Sequence, residues 1–505
     1  MSGQSVVVRS AVIHGMVALP VAVEVSVSGG LPGINIVGMP SSTVLESRTR
    51  VRCAIREAGF TIPRLTVNIN LAPGDLKKTG TGLDLPIAVG ILAATGQIPQ
   101  TSFDEYLVVG ELGLHSTVVP VRGMAAYQIL ARDANLTLVT GSQGLQLPAE
   151  DDKVCIVDDL ADLRGGLAAI ETCDGHVFGA AGVAGATRCD CDDLDFEDVV
   201  DQEVAKRALV IAAAGNHGLI MVGPPGAGKT MLARRVPTIL PRMSPKEQAE
   251  AILIHSVAGQ SIEELVAGRR PFRSPHHSIS MGGLIGGGKP VIPGEVSLAH
   301  NGVLCLDELP EFAKNALQSL RQPIEDHEVR LVRVDGVYTF PCSFTLLAAA
   351  NPCPCGHFGD PGHECVCPPA RINAYQSRIG GPLMNRIDVF VDVHRPDSSR
   401  VIQGETGKSS EQMAEEVLRA REFASWRHAR SGVEVTQKAG VDALGFEPKA
   451  KETFKSMAES FRLGGRSIAR VSRVARTIAD IDERELVSSD DVFEALNYRS
   501  RELSR

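Results

Sequence analysis

The chain is poor in aromatic residues: Trp occurs once, and Phe, Trp and Tyr together make up 4% of 505 residues. Such a composition does not support a fold that grips single strands by stacking bases on many rings. A basic excess is also missing. The net charge is −9, which argues against a polycationic coat for nucleic acid. A local basic channel stays open, because only charges near phosphate matter. No apolar run reaches the roughly 18 residues of a spanning helix. The longest stretches, "LPIAVGILAATG" and "ALVIAAAGNHGLIMVG", are broken by Gly, Asn and His. Residues 1–30 lack a charged start followed by a sustained apolar run. The expectation is a cytoplasmic protein with no membrane partner. Eleven cysteines in a long chain suit buried thiols or metal ligands better than a disulfide frame. Cys53, Cys155, Cys173, Cys305 and Cys342 stand alone and read as small buried hydrophobes.

What is present organises into blocks. The length suggests about three domains. Residues 1–164 alternate strand and helix signals, as in "RLTVNINLAP" and "LDLPIAVGILAATG", and "YLVVGELGLHSTVVPV" reads as a hairpin turned at "GELGL". Residues 165–198 are Gly/Ala-rich and then acidic, the pattern of a linker. Within them "CDCDDLD" offers carboxylates to a cation but lacks the Gly and terminal Glu of a calcium loop. Residues 199–395 are α/β around the motifs below. Residues 396–505 are helical, with apolar spacing of three and four in "SEQMAEEVLRAREFASWRHAR" and "RSIARVSRVARTIADIDERE".

"GPPGAGKT" comprises Gly223, Pro224, Pro225, Gly226, Ala227, Gly228, Lys229 and Thr230, and fits G-x-x-x-x-G-K-[ST] in full. The glycines let backbone N–H groups turn inward onto phosphate oxygens, and the following helix adds partial positive charge. Lys229 suits the β/γ-phosphates of ATP and the Thr230 hydroxyl suits Mg²⁺. "GVLCLDEL" supplies the acidic strand end: Asp307 for Mg²⁺ and Glu308 as general base on water. "SFTLLAAAN" is a third apolar strand, ending in Asn351, where a side-chain amide can sense the γ-phosphate and the attacking water. The plainer alternative for Asn351 is a turn residue before Pro352.

These motifs, with "PGEVSLAHNGVLCLDELPEF", "NPCPCG" and "VARTIAD", resemble the YifB/ComM group of AAA+ ATPases, also called magnesium-chelatase-like proteins. The resemblance covers almost the whole chain. It implies an AAA+ P-loop NTPase core with a C-terminal helical lid, assembled as a homo-oligomeric ring, a hexamer, with ATP bound between subunits. "RIGGPLMNRIDVFVDV" resembles the family's arginine-finger segment, with Arg386 as the finger and Arg378 as runner-up. A planar guanidinium suits the charge that spreads over a transferred phosphoryl group; the plain alternative for Arg386 is an ion pair with Asp388. In the lid, Arg466 matches the second sensor, with Arg470 as alternative, although Gly-Gly-Arg stands where the family often shows Ser-Ala-Arg. The N-terminal block resembles the S5-like α/β fold of the Lon proteolytic domain. That fold cuts peptides with a Ser activated by a Lys; here Gly82 stands at the Ser position, with Thr81 beside it, and Ala125 at the Lys position. Peptidase activity is therefore not expected.

The resemblance favours DNA as partner, with ComM-type members acting as translocases in branch migration. "EDHEVRLVRVDGVYTFPCSFTLL" reads as a hairpin offering His327, Arg330 and Arg333 to phosphates in a pore. "SISMGGLIGGGKPV" reads as a flexible second pore loop carrying Lys289. Arg48, Arg50, Arg52 and Arg56 crowd one predicted helix but not one face of it. Two alternatives are a chelatase-type motor that remodels a protein and a Lon-like protease, which the missing dyad disfavours. In the loop 353–367, Cys353, Cys355, Cys365 and Cys367 form two Cys-x-Cys pairs, a candidate structural zinc site with His357 and His363 as substitute ligands. Redox-sensitive thiols and plain packing are the alternatives.

Overall fold

The computed structural model describes residues 5–100, 103–147, 152–174, 194–334, 336–378, 381–384, 386–431 and 441–499. In the first unit, alternating Val residues make the strands Ser5–His14 and Val17–Ser28, each with one buried and one exposed face. They continue into Thr66–Ala72 and Gly33–Val37 as a four-stranded sheet, antiparallel except for its last pair. The helix Asp84–Ala94 packs on it, and Ser42–Glu57 packs on that helix. Every residue of Asp84–Ala94 is buried, which explains why its sequence is apolar on all sides. Its one charge, Asp84, is held by Arg50 Nε at 2.6 Å and by the Ser47 hydroxyl. Arg50 is thus an internal clamp, while Arg48, Arg52 and Arg56 are exposed.

Two expectations shift here. Tyr106–Val108 is not an arm of the hairpin expected at "GELGL"; it pairs in parallel with Thr137–Thr140 in a second sheet, and the hairpin is the shorter one of Glu111–Leu112 with Val118–Val119. The Gly110 backbone is occupied, donating to Gly82 O and accepting from Leu85 N, each at 3.0 Å. The turn falls at 113–117 instead, closed by Gly113 N to Thr117 O at 2.8 Å, with Ser116 at φ 68°. The first unit also runs past residue 164, because Thr172–Asp174 pairs with Lys153–Ile156. At the far end of the expected linker, Phe196 is fully buried in the core of the next unit. The Cys189–Asp193 part of "CDCDDLD" lies outside the described residues.

The second unit is built on a parallel sheet in the spatial order Phe272–Arg273, Val303–Leu306, Thr345–Ala350, Leu219–Val222, Val389–Asp392. The three central strands are fully or almost fully buried runs, as a sheet covered on both faces requires. The helices Ser410–Ser431, Pro448–Ser460, Gly465–Ile481 and Ser489–Asn497 form a C-terminal bundle that shares its core with the helix Glu203–Gly215. No helix among the described residues is long and apolar enough to cross a membrane.

Several contacts fasten the first unit to the second, among them Ile262 N donating to Gln146 Oε1 at 3.0 Å. Gly123 N and Ala125 N donate to Ser256 O and Oγ at 2.9 and 3.1 Å, on the helix Pro245–Ala258. The turn after the first strand also reaches the second unit, where His14 stacks on Tyr338 with ring centres 4.5 Å apart.

Asp388 joins bundle to sheet. It is 5% exposed and meets His217 Nδ1 at 3.3 Å, Arg473 at 3.2 Å and Arg470 Nε at 3.6 Å. Burial would raise its pKa, but these cationic partners outweigh it and hold the carboxylate below its usual range. Removing one member of such a buried set leaves the others unpaired, so Asp388→Ala should cost about 3 kcal/mol in urea unfolding. Because the folded pKa is depressed, this contribution is present above the unfolded value of about 4 and is lost as pH falls through the folded one. Repeating the measurement between neutral and acid pH should show the gap between wild type and variant closing.

Candidate nucleotide site

Parallel register brings three strand ends together. Val222 pairs with Ala350 and Leu306 with Ala348, so Gly223, Asp307 and Asn351 all emerge on one edge of the sheet. Gly226 and Gly228 take φ of 80° and 88°, the left-handed conformations that let this loop turn its N–H groups inward before the helix Lys229–Arg235. The Lys229 ammonium is buried and donates to Gly223 O at 2.7 Å, Pro224 O at 2.9 Å and Asn351 Oδ1 at 3.1 Å. Burial lowers its pKa, and Asp307 and Glu308 pull the other way. Thr230 Oγ1 donates to Asp307 Oδ2 at 2.6 Å. The hydroxyl and carboxylate expected to share a cation are therefore already side by side. Glu308 follows in the left-handed region at φ 52° and ψ 43°, with its N–H on Asp307 Oδ1 at 2.9 Å.

Glu308 has a partner that the sequence reading missed. His277 Nδ1 lies 3.1 Å from Glu308 Oε2, and the His277 ring tilts against His276 with centres 4.0 Å apart. The only signal was the doublet in "SPHHSIS", just after a short strand.

The arginines lie elsewhere. Arg386 precedes the start of Val389–Asp392, whereas the phosphate loop follows the end of its parallel neighbour, so they occupy opposite edges of the sheet. It does not pair with Asp388, the plain alternative; it contacts Glu325, because Asp388 is taken by His217, Arg470 and Arg473. Burial first, then the charges of Arg321, Arg466 and Arg470, lower its pKa, which places Arg466 within its electrostatic reach. Arg466 is exposed, whereas Arg470 is buried against Asp388. Arg378 is an exposed partner of Glu311 at 3.7 Å.

The hairpin pairs Glu328–Arg333 with Gly336–Pro341; His327 sits at its base in the left-handed region, and Arg330 and Arg333 are exposed on it. Val334, at the tip, is fully exposed and Val332 is 71% exposed. The "SISMGGLIGGGKPV" stretch is folded rather than loose. It forms the helix Met281–Ile285 and a small hairpin, 286–287 with 292–293, with Lys289 exposed at the turn. Arg333 lies against Gly287, so the two elements meet.

The four thiols of Cys353, Cys355, Cys365 and Cys367 cluster within 4.8 Å of one another, the closest pairs at 3.3 to 3.6 Å. Tetrahedral zinc with Zn–S near 2.3 Å spaces sulfurs by roughly 3.8 Å, so these residues fit that ion. The backbone N–H of His357, helped by the other thiols, pulls the Cys355 thiol down to about 6, towards the thiolate that binds metal. His357 and His363 instead face Asp360, at 3.2 and 3.5 Å. Of the lone cysteines, Cys155, Cys305 and Cys342 are buried and Cys53 and Cys173 half-buried.

The positions matched to a peptidase dyad are filled differently. A Cβ on Gly82 would stand 3.2 Å from Val109 and 3.4 Å from Val121. Ala125 is 1% exposed and packs with Met243, Ala251 and Ile252 of the second unit.

Comparison with known proteins gives the family. A family described as magnesium chelatase, subunit ChlI, matches residues 195–401, and its C-terminal counterpart matches 407–499. A further ChlI family matches residues 23–142. The chain is 37% identical over 503 residues to the Escherichia coli protein YifB, covering 98% of this chain and 97% of YifB. It is 36% identical over 501 residues to the Haemophilus influenzae protein named competence protein ComM, covering 98% and 97%. A Mycobacterium tuberculosis protein without an assigned role is 36% identical over 500 residues, covering 97% of each.

Lys229 donates to Gly223 O, Pro224 O and Asn351 Oδ1, the donor capacity that a phosphate would take. Lys229→Ala should therefore weaken ATP binding by about 10- to 100-fold, the worth of hydrogen bonds from a charged donor. Titration with a fluorescent ATP analogue checks this.

Proposed function

The chain belongs to the YifB/ComM family of magnesium-chelatase-like AAA+ proteins, and on that premise we propose that it is a ring-forming ATPase that translocates DNA. The observation that carries the ATPase reading is the convergence of Lys229, Thr230, Asp307, Glu308 and Asn351 on one sheet edge. Lys229 and the loop N–H groups hold the phosphates of ATP. Thr230 and Asp307 hold Mg²⁺, which when bound neutralises phosphate charge. Glu308 accepts the proton of the attacking water once it leaves His277, and Asn351 positions that water against the γ-phosphate.

Arg386 stands at the opposite edge, so it serves a neighbouring subunit's site, where it stabilises charge on the transferred phosphoryl group. Arg466, close to it and exposed, is offered to the same neighbour and couples nucleotide state to the lid. This division requires a homo-oligomer, and a hexamer is the ring the family resemblance implies. The N-terminal unit is an S5-like domain kept for docking rather than peptide cleavage, as Gly82 and Ala125 support.

The exposed hairpin with Arg330 and Arg333, beside the Lys289 turn, is the element that meets phosphates, and one relative carries the name competence protein. We assign the activity to branch migration and the protein to the cytoplasm.

Glu308→Gln should keep ATP binding and lose about 10² to 10⁴ of turnover, as removal of a general base does. Arg386→Ala should also bind ATP and fail to turn it over; retained turnover would sink the neighbour's-arginine assignment. Forked or single-stranded DNA at about 50 mM salt should stimulate hydrolysis in the wild type, with the effect fading as salt rises. If DNA neither binds nor stimulates, remodelling of a protein partner replaces the DNA reading.

A further inference from the structure

The cysteine cluster and the phosphate loop touch. Gly356 follows Cys355 and lies against Pro225 of the phosphate loop: a Cβ built on Gly356 would stand 2.5 Å from Pro225 Cδ and 3.0 Å from Cγ. Its φ is +85°, and its N–H donates to Cys353 O at 3.0 Å, closing a tight turn inside the first Cys-x-Cys pair. The same loop holds the sensor. Asn351, bonded to Lys229, is two residues before Cys353, and the intervening Pro352 carbonyl accepts from Gln376 Nε2 at 3.0 Å. Gln376 belongs to the helix Pro369–Ser377, which leads to Arg378 and onward to the Arg386 segment.

Between Ala350 and Pro369 there is no helix or strand. A connection that long seldom keeps one shape unaided. Cys353 is fully buried, whereas Phe358 and Val366 are exposed. Apolar packing therefore gives the outer half of the loop little support, and what its two ends share is the thiol cluster. Four sulfurs and no oxygen ligand in a closed set suit zinc, which needs no redox partner and tolerates no open position in a structural role.

We infer that zinc bound by Cys353, Cys355, Cys365 and Cys367 sets the shape of the phosphate-binding site, by holding Gly356 under Pro225 and Asn351 beside Lys229, so that metal occupancy gates nucleotide binding. The inference rests on the ATPase reading for what the site binds. It adds that the loop behind the sensor is a part of the nucleotide site.

The test uses full-length protein and a fluorescent ADP analogue, with zinc measured by elemental mass spectrometry. Wild type should carry about one zinc per chain, and less than about half would overturn the inference. Stripping zinc with a chelator, or Cys365→Ser with Cys367→Ser, should lower nucleotide affinity by about 10² while far-ultraviolet circular dichroism holds, since small displacements in a positioned site carry that cost. Adding zinc back to the stripped wild type should restore binding.

Gly356→Ala separates coupling from collapse. It keeps all four thiols and should keep its zinc, yet its methyl group displaces Pro225, so affinity should fall as in the stripped protein. Zinc-free protein, or Gly356→Ala, that binds nucleotide within about twofold of wild type would overturn the inference. Zinc-loaded wild type that binds nucleotide without hydrolysing it would instead sink the ATPase reading and leave the coupling standing.

Discussion

Parallel pairing of Leu219–Val222 with a neighbour on each side is the constraint on which the molecule turns. A parallel sheet points every strand end the same way, so Gly223, Asn351 and Asp307 converge without any of their loops having to reach. The same rule sends the start of Val389–Asp392, and Arg386 with it, to the other edge. One sheet thus places Gly223, Asp307 and Asn351 on one edge and Arg386 on the other. On the proposed reading, a second copy would bring the two edges together.

Much of this was legible in the sequence because each site residue ends an apolar run. Gly223, Asp307 and Asn351 are where the apolar runs stop, and a strand end is a position that a pattern can show. Residues whose role depends on contacts across the chain were not legible. His277 is 31 positions from Glu308, and nothing local to the His doublet tells which carboxylate it will meet. Asp388 looked like a partner for Arg386, two residues away. In the structure its neighbours come from a distant helix and from His217, which pack around it where it enters the strand Val389–Asp392. The hairpin expected at "GELGL" is shorter and turns slightly later for a related reason: Gly110 spends both its backbone groups on the helix start at 82–85, which leaves the turn to 113–117.

The bundle of helices is tied to the sheet by charge as much as by apolar packing. Arg470 and Arg473 converge on one buried carboxylate, while His217 bonds Asp388 through one ring nitrogen and Thr477 Oγ1 through the other, at 2.8 Å. A buried ionic set of this kind stabilises less than its contacts suggest, since each charge has lost its water. It is directional, though, and fixes the angle of the helix Gly465–Ile481 on the sheet. That angle decides where Arg466, one turn before Arg470, emerges.

The seat of Ala125 makes the division of labour between the two units hard to reverse. Its methyl group lies under the helix Pro245–Ala258, and its N–H is bonded to Ser256. A lysine placed there would drive an ammonium into the seam that joins the units, with apolar side chains around it. Ala125 is spent on the seam that joins the two units, and a residue sealed there is closed to any chemistry that needs solvent or substrate.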